Sequence, residues 1–298
     1  MCICKVNSML GFILIDKPEH IGSFDCVRQL RKILDVRRIG FVGTLDPLAS
    51  GLMIFVVGEA TKLIPYLEGT SKVYEVTATF SAVSDSYDAD GEIKELPVSA
   101  ANRPNRAGIE QVLNEKFIGE VSQVPPVYSA IKVNGKRAYA RARGGEDLKM
   151  KARKVIFYST RLVSLRWPRA RFTVHCGSGT YVRSFVHDLG QILGCSAYVS
   201  QLRRTKIGDY SVKNAIAFDR INKKNAHKYV IAPQDFFPGE NVIVLSSEEY
   251  EILANGGFIP FKEITAQIAP ILAVYKNRCV GALEPFRGQL KFYRKFQL

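Results

Sequence analysis

Apolar residues along the chain fall into short runs and alternating segments that predict β-strands. The alternation is clear in the segment 72–80, where four apolar or aromatic residues lie on one side: Tyr74, Val76, Ala78 and Phe80. Continuous apolar runs elsewhere are typical of buried strands. The predicted strands are residues 11–15, 52–58, 72–80 and 171–177, and a strand pair over 198–212.

Apolar residues at helical spacing predict helices between these strands. In the first helix, Val27, Leu30 and Leu34 share one face, Ser23 is the expected N-cap, and Asp25 stands in the first turn. Strands and helices follow one another without strict β-α-β alternation, which favours an α+β fold around a large mixed or antiparallel sheet flanked by helices. The predicted helices are residues 23–35, 59–67, 108–117 and 181–193.

A junction is predicted where the chain reads APQDFFPG, at residues 232–239. Beyond it, short apolar strands and glycine turns indicate a small barrel-like module of about 55 residues. We therefore predict two domains, one over residues 1–235 and a small β-rich one over residues 240–298.

The chain has a strong excess of positive charge, with 42 Lys and Arg against 28 Asp and Glu in 298 residues and a formal net charge of +14. This excess indicates a polyanionic partner, either a nucleic acid or an anionic membrane surface; a basic surface that only aids solubility is the simpler alternative. No apolar run reaches the roughly 20 residues of a membrane span, and the first ten residues show no signal-peptide pattern. We expect a cytoplasmic protein that does not enter a membrane.

Cysteines and histidines do not form a metal-binding pattern in the sequence. The four histidines include no HExxH string, and the cysteines are too scattered for zinc spacing or a dense disulfide framework. We therefore expect free thiols and no metal site. The six cysteines are Cys2, Cys4, Cys26, Cys176, Cys195 and Cys279.

One acidic residue stands in a glycine-flanked loop, GTLDPLASG, at residues 43–51. Pro47 disfavours the helical conformation at Asp46, and Gly43 and Gly51 permit tight turns, so the loop can hold one carboxylate at a fixed angle. Asp-Pro is also a common turn dipeptide. The local string leaves two roles open for Asp46, a turn residue or a catalytic group.

A second candidate string is GSGTYVRSFVHDLG, at residues 177–190, where a glycine-rich turn leads into a predicted helix. Arg183 could pair with Asp46 and favour its ionised form, or it could be a solvated residue at a helix end. Tyr181 is either a core aromatic or a contact to the substrate. The same alternatives hold for Tyr74, which could stack on a splayed RNA base.

The stretch QVPPVYSAIKVNGKRAYARARGG, at residues 123–145, combines the hairpin signal Asn134-Gly135 with dense positive charge. From Lys136 to Lys154, eight basic residues stand against two acidic ones, with Tyr139 among them. Basic side chains interleaved with an aromatic ring suit a phosphate backbone with exposed bases. The alternative is a solvated charged face.

In their order and spacing, these strings resemble those of the tRNA pseudouridine synthase B (TruB) family. The resemblance covers most of residues 10–215, and the ordered set is highly specific. From residue 240 onward the tail resembles, more faintly, the small PUA RNA-binding module that follows the family's catalytic domain, through NGGF and VGALE. The main strings are GFILIDKP, GTLDPLASG with GEATK behind it, KVYEV, DADGEI, QVPPVYSAIKVNGKRAYARARGG, GTYVRSFVHDLG and QLRRTKIGDY.

The resemblance implies an enzyme that isomerises uridine to pseudouridine in the T loop of tRNA, at position 55. It implies a catalytic domain with a large mixed sheet, followed by a PUA-like domain. The site residues that it implies are Asp46 as the essential aspartate, Tyr74 as the base-stacking tyrosine, Tyr181 and Arg183 in the active site, Leu202 in an apolar pocket, and Lys17 and Pro18 in a bracing DKP loop. The expected RNA-binding residues are Phe41, Lys62, Lys132, Lys136, Arg137, Tyr139, Arg141 and Arg143.

Such an enzyme flips the uridine out, breaks its N1–C1′ bond, turns the base and joins C5 to C1′. One carboxylate can attack C1′ of the ribose, attack C6 of the base, or take a proton from C2′, and the sequence leaves these routes open. Tyr181 could assist proton transfer at C5. Because the isomerisation is redox-neutral, no cofactor is expected. The expected partner is tRNA, with the protein acting as a monomer and without an obligate protein partner.

The sequence departs from the family pattern at two places. GFVGTLDP stands where the family usually has GHTGTLDP, so Phe41 replaces a histidine near the RNA; phenylalanine can stack but cannot hydrogen-bond or titrate. FSAVSDSYDADG differs from the approximate pattern LGxxTDTxDxxG by three serines, while Asp85 and Asp88 remain. Two alternative functions stay open: a pseudouridine synthase for another stem-loop RNA, and an RNA-binding or RNA-folding protein without catalysis.

Overall fold

The computed structural model describes residues 9–129, 131–133, 136–138, 141, 150–237, 241–261 and 270–296. Its strands are β1 Gly11–Lys17, β2 Ile39–Val42, β3 Ser50–Val57, β4 Lys72–Phe80, β5 Ala82–Ser84, β6 Ile93–Glu95, β7 Gly119–Gln123, β8 Lys132–Val133, β9 Lys136–Arg137, β10 Arg153–Arg166, β11 Arg169–Cys176, β12 Ala197–Ile207, β13 Tyr210–Ser211, β14 Ile216–Ala217, β15 Val242–Val244, β16 Ile259–Pro260, β17 Ile271–Tyr275, β18 Arg278–Phe286 and β19 Gln289–Lys295.

The helices lie between these strands or after them. The α-helices are α1 Ser23–Leu34, α2 Pro65–Glu68, α3 Arg106–Lys116, α4 Val182–Ile192, α5 Pro233–Phe236 and α6 Ser247–Ala254. Short 3₁₀ helices lie at Gly58–Leu63, Ala100–Asn102, Val212–Asn214, Phe218–Arg220 and Ala226–Tyr229.

A ten-stranded mixed sheet forms the body of the molecule. Eight strands follow the order β14-β1-β3-β12-β4-β11-β10-β7, while β13 pairs with β12 and β2 pairs with β3. The pairs β1–β14 and β12–β3 are parallel, and the other pairs in this sheet are antiparallel. The predicted α+β class, with a large mixed sheet flanked by helices, is confirmed.

One face of the sheet packs against α1, α3 and α4 over the largest apolar cluster. Phe185 of α4 lies in its middle, with ring centroids 4.8 Å from Phe117, 5.7 Å from Phe157 and 6.0 Å from Phe172. The alternation in β4 is confirmed, because its four inward residues are all buried in this cluster: Tyr74, Val76, Ala78 and Phe80.

The opposite face of β1 and β3 packs beneath the C-terminal part of the chain. Phe12 of β1 stacks on Phe236 of α5 with a centroid distance of 3.9 Å. Phe12 and Leu52 also belong to an apolar cluster that contains Leu272 and Phe296. The C-terminal residues form a curled five-stranded sheet in the order β15-β17-β18-β19-β16, which has a smaller core of its own. The small β-rich C-terminal unit is thus present, and its boundaries stay a prediction.

Two local predictions need correction. Ser23 is not the cap of α1, because the cap position belongs to Gly22 and Ser23 is the first helical residue. Its hydroxyl instead donates to the Leu45 carbonyl at 2.7 Å and accepts from the Leu45 N–H at 3.0 Å. The predicted helix over 59–67 divides into a 3₁₀ helix and α2, which starts at Pro65, because proline has no N–H to continue the first helix.

The predicted hairpin in the basic stretch corresponds to the antiparallel pair β8–β9, in which Val133 pairs with Lys136. Asn134 and Gly135, the turn signal itself, lie outside the described residues, as do Tyr139 and Arg143.

Candidate active site

Asp46 lies in the loop between β2 and β3, and its side chain is 34% exposed. Gly43 adopts a positive φ of 65°, which glycine tolerates without strain. At Gly51, φ is 109° and a Cβ would lie 2.2 Å from the Arg204 carbonyl oxygen, so only glycine fits this close approach. The loop therefore presents one accessible carboxylate on a tightly packed backbone.

Arg183, the second residue of α4, faces this carboxylate from a buried position. Its Nη2 donates to Oδ1 of Asp46 at 3.3 Å, and its Nε lies 3.0 Å from Oδ2. Nη1 donates to the Ser86 carbonyl at 3.0 Å, and Nη2 donates to the Tyr128 carbonyl at 2.9 Å. The predicted pairing of Arg183 with Asp46 is therefore present, and the two carbonyls orient the guanidinium.

Asp88 is a second carboxylate on the same guanidinium, a contact that the sequence did not reveal. Its Oδ2 lies 3.2 Å from Nη1 of Arg183, and both side chains are 5% exposed. Oδ1 of Asp88 accepts the Ser86 hydroxyl at 2.7 Å and the Asp90 N–H at 3.1 Å. One buried arginine thus joins a fully buried carboxylate to a partly exposed one. The string DADG, which retains this aspartate, was the available signal.

Tyr74 and Leu202 lie on neighbouring strands and on the same face of the sheet, diagonally across the strand pair. Leu202 of β12 pairs with Val76 of β4, two residues after Tyr74 and on the same face. Tyr74 is 9% exposed and Leu202 is 5% exposed. Burial raises the pKa of Tyr74, and the Arg204 charge opposes this shift. The phenol therefore stays protonated at neutral pH, and its direct neighbour across the strand pair is Arg204.

Lys17 and Pro18 connect the end of β1 to the Asp46 loop. The Lys17 ammonium is fully buried and donates to the carbonyls of Pro18 at 2.7 Å, Ile21 at 2.9 Å and Pro47 at 3.4 Å. Burial lowers the pKa of Lys17 to about 8. Pro47 is the residue after Asp46, so the hydrogen bond from Lys17 to the Pro47 carbonyl fixes the backbone of the Asp46 loop.

Arg204 is a buried cation that sequence reasoning missed. Its Nε donates to the Leu52 carbonyl at 2.8 Å, Nη2 to Gly43 at 3.1 Å and Nη1 to Thr44 at 3.5 Å. The side chain of Lys72 lies against Gly43 as well, with Cε 3.8 Å from the position of a Cβ there. The adjacent arginines of QLRR were the signal, because alternation in a strand turns one of two neighbours inward.

Tyr181 stands at the cap position of α4 and is held from two sides. Gln123 of β7 accepts the Tyr181 N–H at 2.8 Å and donates to its carbonyl at 3.1 Å. The guanidinium of Arg153 lies 4.8 Å from the centre of the Tyr181 ring and donates to the Gly179 carbonyl. The half-buried ring is thus held at the start of α4, two residues before Arg183.

The structure places the predicted RNA-binding residues at several locations. Phe41 is half-buried and packs edge-on against the exposed Phe24, with ring centroids 5.1 Å apart. The Lys62 ammonium donates to the Lys295 carbonyl at 2.7 Å and pairs with Glu59, so it is engaged within the protein at the C-terminal sheet. The backbones of Lys132, Lys136 and Arg137 form β8 and β9, and Arg141 is half-buried.

Among the described residues, no group of three or more His, Cys, Asp and Glu side chains could hold a metal ion. The cysteines that the structure describes, Cys26, Cys176, Cys195 and Cys279, are buried and free. Within the same part of the chain, no helix has both the length and the apolar character needed to cross a membrane.

Two family models match consecutive parts of the chain. Residues 31–182 match the model described as "TruB family pseudouridylate synthase (N terminal domain)", and residues 183–233 match "tRNA pseudouridylate synthase B C-terminal domain". Together the two matches cover Asp46, Tyr74, Asp88, Arg183 and Leu202 without a gap.

Solved structures share the fold at low sequence identity. A chain from "Structure of H/ACA RNP bound to a substrate RNA containing 2'-deoxyuridine" matches with a TM-score of 0.67 and 18% identity, over 98% of this chain and 86% of that one. A chain from "Crystal Structure of a Cbf5-Nop10-Gar1 Complex" matches with a TM-score of 0.67 and 20% identity, over 97% and 85%. At this identity, the likeness concerns the fold.

Curated relatives carry the same name across distant bacteria. Proteins named tRNA pseudouridine synthase B are 37% identical in Clostridium novyi over 83% of this chain and 84% of the relative, and 34% identical in Oenococcus oeni over 95% and 96%. The one from Paracoccus denitrificans is 41% identical over 74% and 73%. With the matched fold and the paired Asp46 and Arg183, these relatives show that the chain belongs to the TruB family of tRNA pseudouridine synthases, which are isomerases.

Proposed function

We propose that this protein converts one uridine of the tRNA T loop, at position 55, to pseudouridine, and that Asp46 is the essential group. The observation that carries the proposal is the pairing of a partly exposed carboxylate, Asp46, with a buried guanidinium, Arg183. A nearby positive charge favours the ionised form of a carboxylate. Ionised Asp46 is the form needed for nucleophilic attack or for proton abstraction.

The surroundings of Asp46 suit an extruded uridine. The base must leave its stack before its glycosidic bond can be reached. Tyr74 supplies a protonated aromatic ring, and Leu202 adds an apolar side chain on the same face of the sheet. Stacking of a base on such a ring contributes about 1–3 kcal/mol.

The reaction is an internal rearrangement of the nucleotide. The N1–C1′ bond breaks, the base turns, the C5–C1′ bond forms, and the proton on C5 is lost while N1 gains one. Asp46 acts at C1′, at C6 or at C2′, and Tyr181 assists the proton transfer at C5. No oxidant, reductant or group donor enters this balance, and the proposed enzyme uses no cofactor.

Binding of tRNA is assigned to the positive surface of the chain. The formal net charge is +14, and the segment with β8 and β9 carries part of this excess. Phosphate contacts by Lys and Arg make the affinity salt-dependent. We propose further that the parts over 1–235 and 240–298 are a catalytic domain and a PUA-like RNA-binding domain, and that the protein acts as a cytoplasmic monomer.

The test is to incubate the protein with an unmodified tRNA transcript and to map pseudouridine by nucleotide. We expect the product in the T loop for the wild type and none for Asp46→Asn, with tRNA affinity largely retained. Glu110→Gln is the matched control, because it removes one carboxylate that pairs with an arginine, Arg106, on the exposed face of α3. It should leave turnover unchanged.

Other outcomes would select the alternatives. Product in another stem-loop RNA, with none in the T loop, would keep the enzyme class and change the substrate. Tight tRNA binding without any product would indicate an RNA-binding or RNA-folding protein. Substantial turnover by Asp46→Asn would exclude Asp46 as the essential group.

A further inference from the structure

Helix α4 contacts the segment between β5 and β6 at two successive turns. At the first turn, Arg183 donates to the Ser86 carbonyl and lies 3.2 Å from the Asp88 carboxylate. One turn later, the imidazole of His187 lies flat on the ring of Tyr87, with centroids 3.8 Å apart and an interplanar angle of 11°. Residues four apart on a helix lie on the same face. Tyr87 stands between Ser86 and Asp88, the two partners of Arg183, and it is therefore held by the next turn of the same helix.

Tyr87 has a backbone conformation that needs support from its surroundings. Its φ is +64°, in the left-handed region that side chains other than glycine, asparagine and aspartate rarely adopt. Its N–H donates to the Ser84 carbonyl at 3.1 Å, and its carbonyl accepts the Val199 N–H at 3.0 Å. This turn directs the Ser86 carbonyl and the Asp88 carboxylate to the same guanidinium. A loss of the turn would therefore disturb both partners of Arg183 together.

His187 contributes the flat face of its ring rather than a hydrogen bond from Nδ1. Nδ1 is buried and has no hydrogen-bond partner within the described residues. Burial lowers the pKa of His187, which favours the neutral imidazole. A neutral ring avoids a second positive charge one turn from Arg183. Asp188, the residue after His187, is half-buried, and burial raises the pKa of its carboxyl group to about 6.

We propose that Tyr87 and His187 are positioning residues, and that their stack holds Ser86 and Asp88 in place so that Arg183 stays directed at Asp46. This inference rests on the proposed function, because it assigns a role in the same reaction. The chain of contacts runs from His187 to Tyr87, from the Tyr87 backbone to its two neighbours, and from these to Arg183. Neither ring is required to touch the RNA.

Two pairs of variants separate this role from simple packing. His187→Leu and Tyr87→Asn each remove the stack, and asparagine tolerates the left-handed backbone of residue 87. His187→Phe and Tyr87→Phe keep a flat ring at each position. The rate of pseudouridine formation is measured in single turnover at saturating tRNA, beside the dissociation constant for tRNA and the melting temperature of each variant.

We expect His187→Leu and Tyr87→Asn to reduce the single-turnover rate by about 10-fold to 100-fold, because a small misplacement of catalytic groups has effects of this size. The dissociation constant for tRNA should stay within about twofold, and both Phe variants should recover most of the rate. Trp167→Leu is the matched control, because it removes another flat stack, with the Phe80 ring at a centroid distance of 5.6 Å, in the turn between β10 and β11. It should leave the rate unchanged.

A double-mutant comparison tests whether the stack acts through Asp88. In an Asp88→Asn background, His187→Leu should reduce the rate by a smaller factor than in the wild type, because one of the two Arg183 partners that the stack positions is already disabled. Fully additive losses would overturn the proposal. So would unchanged rates in His187→Leu and Tyr87→Asn, equal losses in the Phe variants, or losses that only follow the melting temperature.

Failure of the inference is distinguishable from failure of the proposed function. If the wild type forms no pseudouridine in tRNA, the proposed function is wrong and the inference falls with it. If the wild type is active and the stack variants match it, only the role of Tyr87 and His187 is refuted. If His187→Leu does not fold, the Tyr87→Asn and Tyr87→Phe pair decides the question.

Discussion

The guanidinium of Arg183 lies 3.2 Å from the carboxylate of Asp88, and both side chains are almost completely buried. A buried charge without its partner is costly, so each of these groups depends on the other. Asp46, on the other side of the same guanidinium, is accessible. Arg183 is thus anchored by one carboxylate while it orients another.

Asp88→Asn should lower both activity and stability. The amide keeps the shape of the side chain but removes the charge that anchors Arg183, so we expect the single-turnover rate to fall at least about 10-fold. The free energy of unfolding should fall by about 1–3 kcal/mol. Rate measurements and urea unfolding check both expectations. Asp90→Asn, an exposed position two residues later, is the control, and equal effects from both variants would contradict the role of Asp88.

Arg204→Met should loosen the backbone of the Asp46 loop. The change leaves the carbonyls of Gly43, Thr44 and Leu52 without their buried donor, and each unsatisfied group costs about 1–3 kcal/mol. We expect lower stability and a slower single-turnover rate.

Arg203→Met is the matched control for this prediction. Arg203 is the neighbouring residue of β12, and it pairs with Asp16 at 2.7 Å in a more exposed position. Unfolding curves and rates of both variants make the comparison. An Arg204→Met protein as stable and as fast as Arg203→Met would exclude the anchoring role.

The buried ammonium of Lys17 should make stability depend on pH. Burial lowers its pKa from 10.5 to about 8, so between these values the unfolded chain binds more protons than the folded one. Stability therefore rises with pH over this interval. The difference in unfolding free energy between the wild type and Lys17→Met isolates this contribution, because the two proteins share their other titrating groups. The unfolding free energy of the wild type minus that of Lys17→Met should rise from pH 8 to pH 10.5. A difference that does not change with pH would refute the lowered pKa.

Phe41→His should make tRNA affinity depend on pH in a new way. If residue 41 contacts the RNA as proposed, a histidine that is protonated below about pH 6.5 adds a positive charge next to phosphates. We expect the affinity of the variant relative to the wild type to improve about threefold between pH 8 and pH 5.5. Phe41→Leu controls for loss of the aromatic ring, and a ratio independent of pH would place residue 41 away from the backbone of the RNA.

Strands and helices whose apolar residues repeat at one constant spacing were predictable from the sequence. The alternation in 72–80 coincides with β4, because every second residue faces the same core. β10 escaped prediction, since irregular pairing between Phe157 and Ser159 and between Leu162 and Ser164 changes which residues face inward. Two buried residues before the first irregularity, Val155 and Phe157, are therefore out of phase with Leu162 after it.

Contacts between residues that are far apart in the sequence decide the roles that short sequence motifs could not assign. Ser23 looks like a cap from its neighbours alone, yet its hydroxyl bonds to the backbone of Leu45, in the loop that carries Asp46. The inward orientation of one arginine in QLRR follows from strand geometry, but the carbonyls that meet Arg204 belong to residues more than a hundred positions earlier. The resemblance to a family predicted which residues belong to the candidate site. The distances between their side chains follow only from the fold.

One apolar cluster is shared by β1, β3 and the C-terminal sheet, so we expect the two parts of the chain to unfold together. Phe12 and Leu52 are covered on this side together with Leu272 and Phe296. A fragment that stops at residue 237 would turn part of this cluster toward water, although every residue around Asp46 would still be present. The C-terminal residues therefore shield the rear face of the ten-stranded sheet from water, and we expect a fragment without them to aggregate unless those apolar side chains are replaced by polar ones.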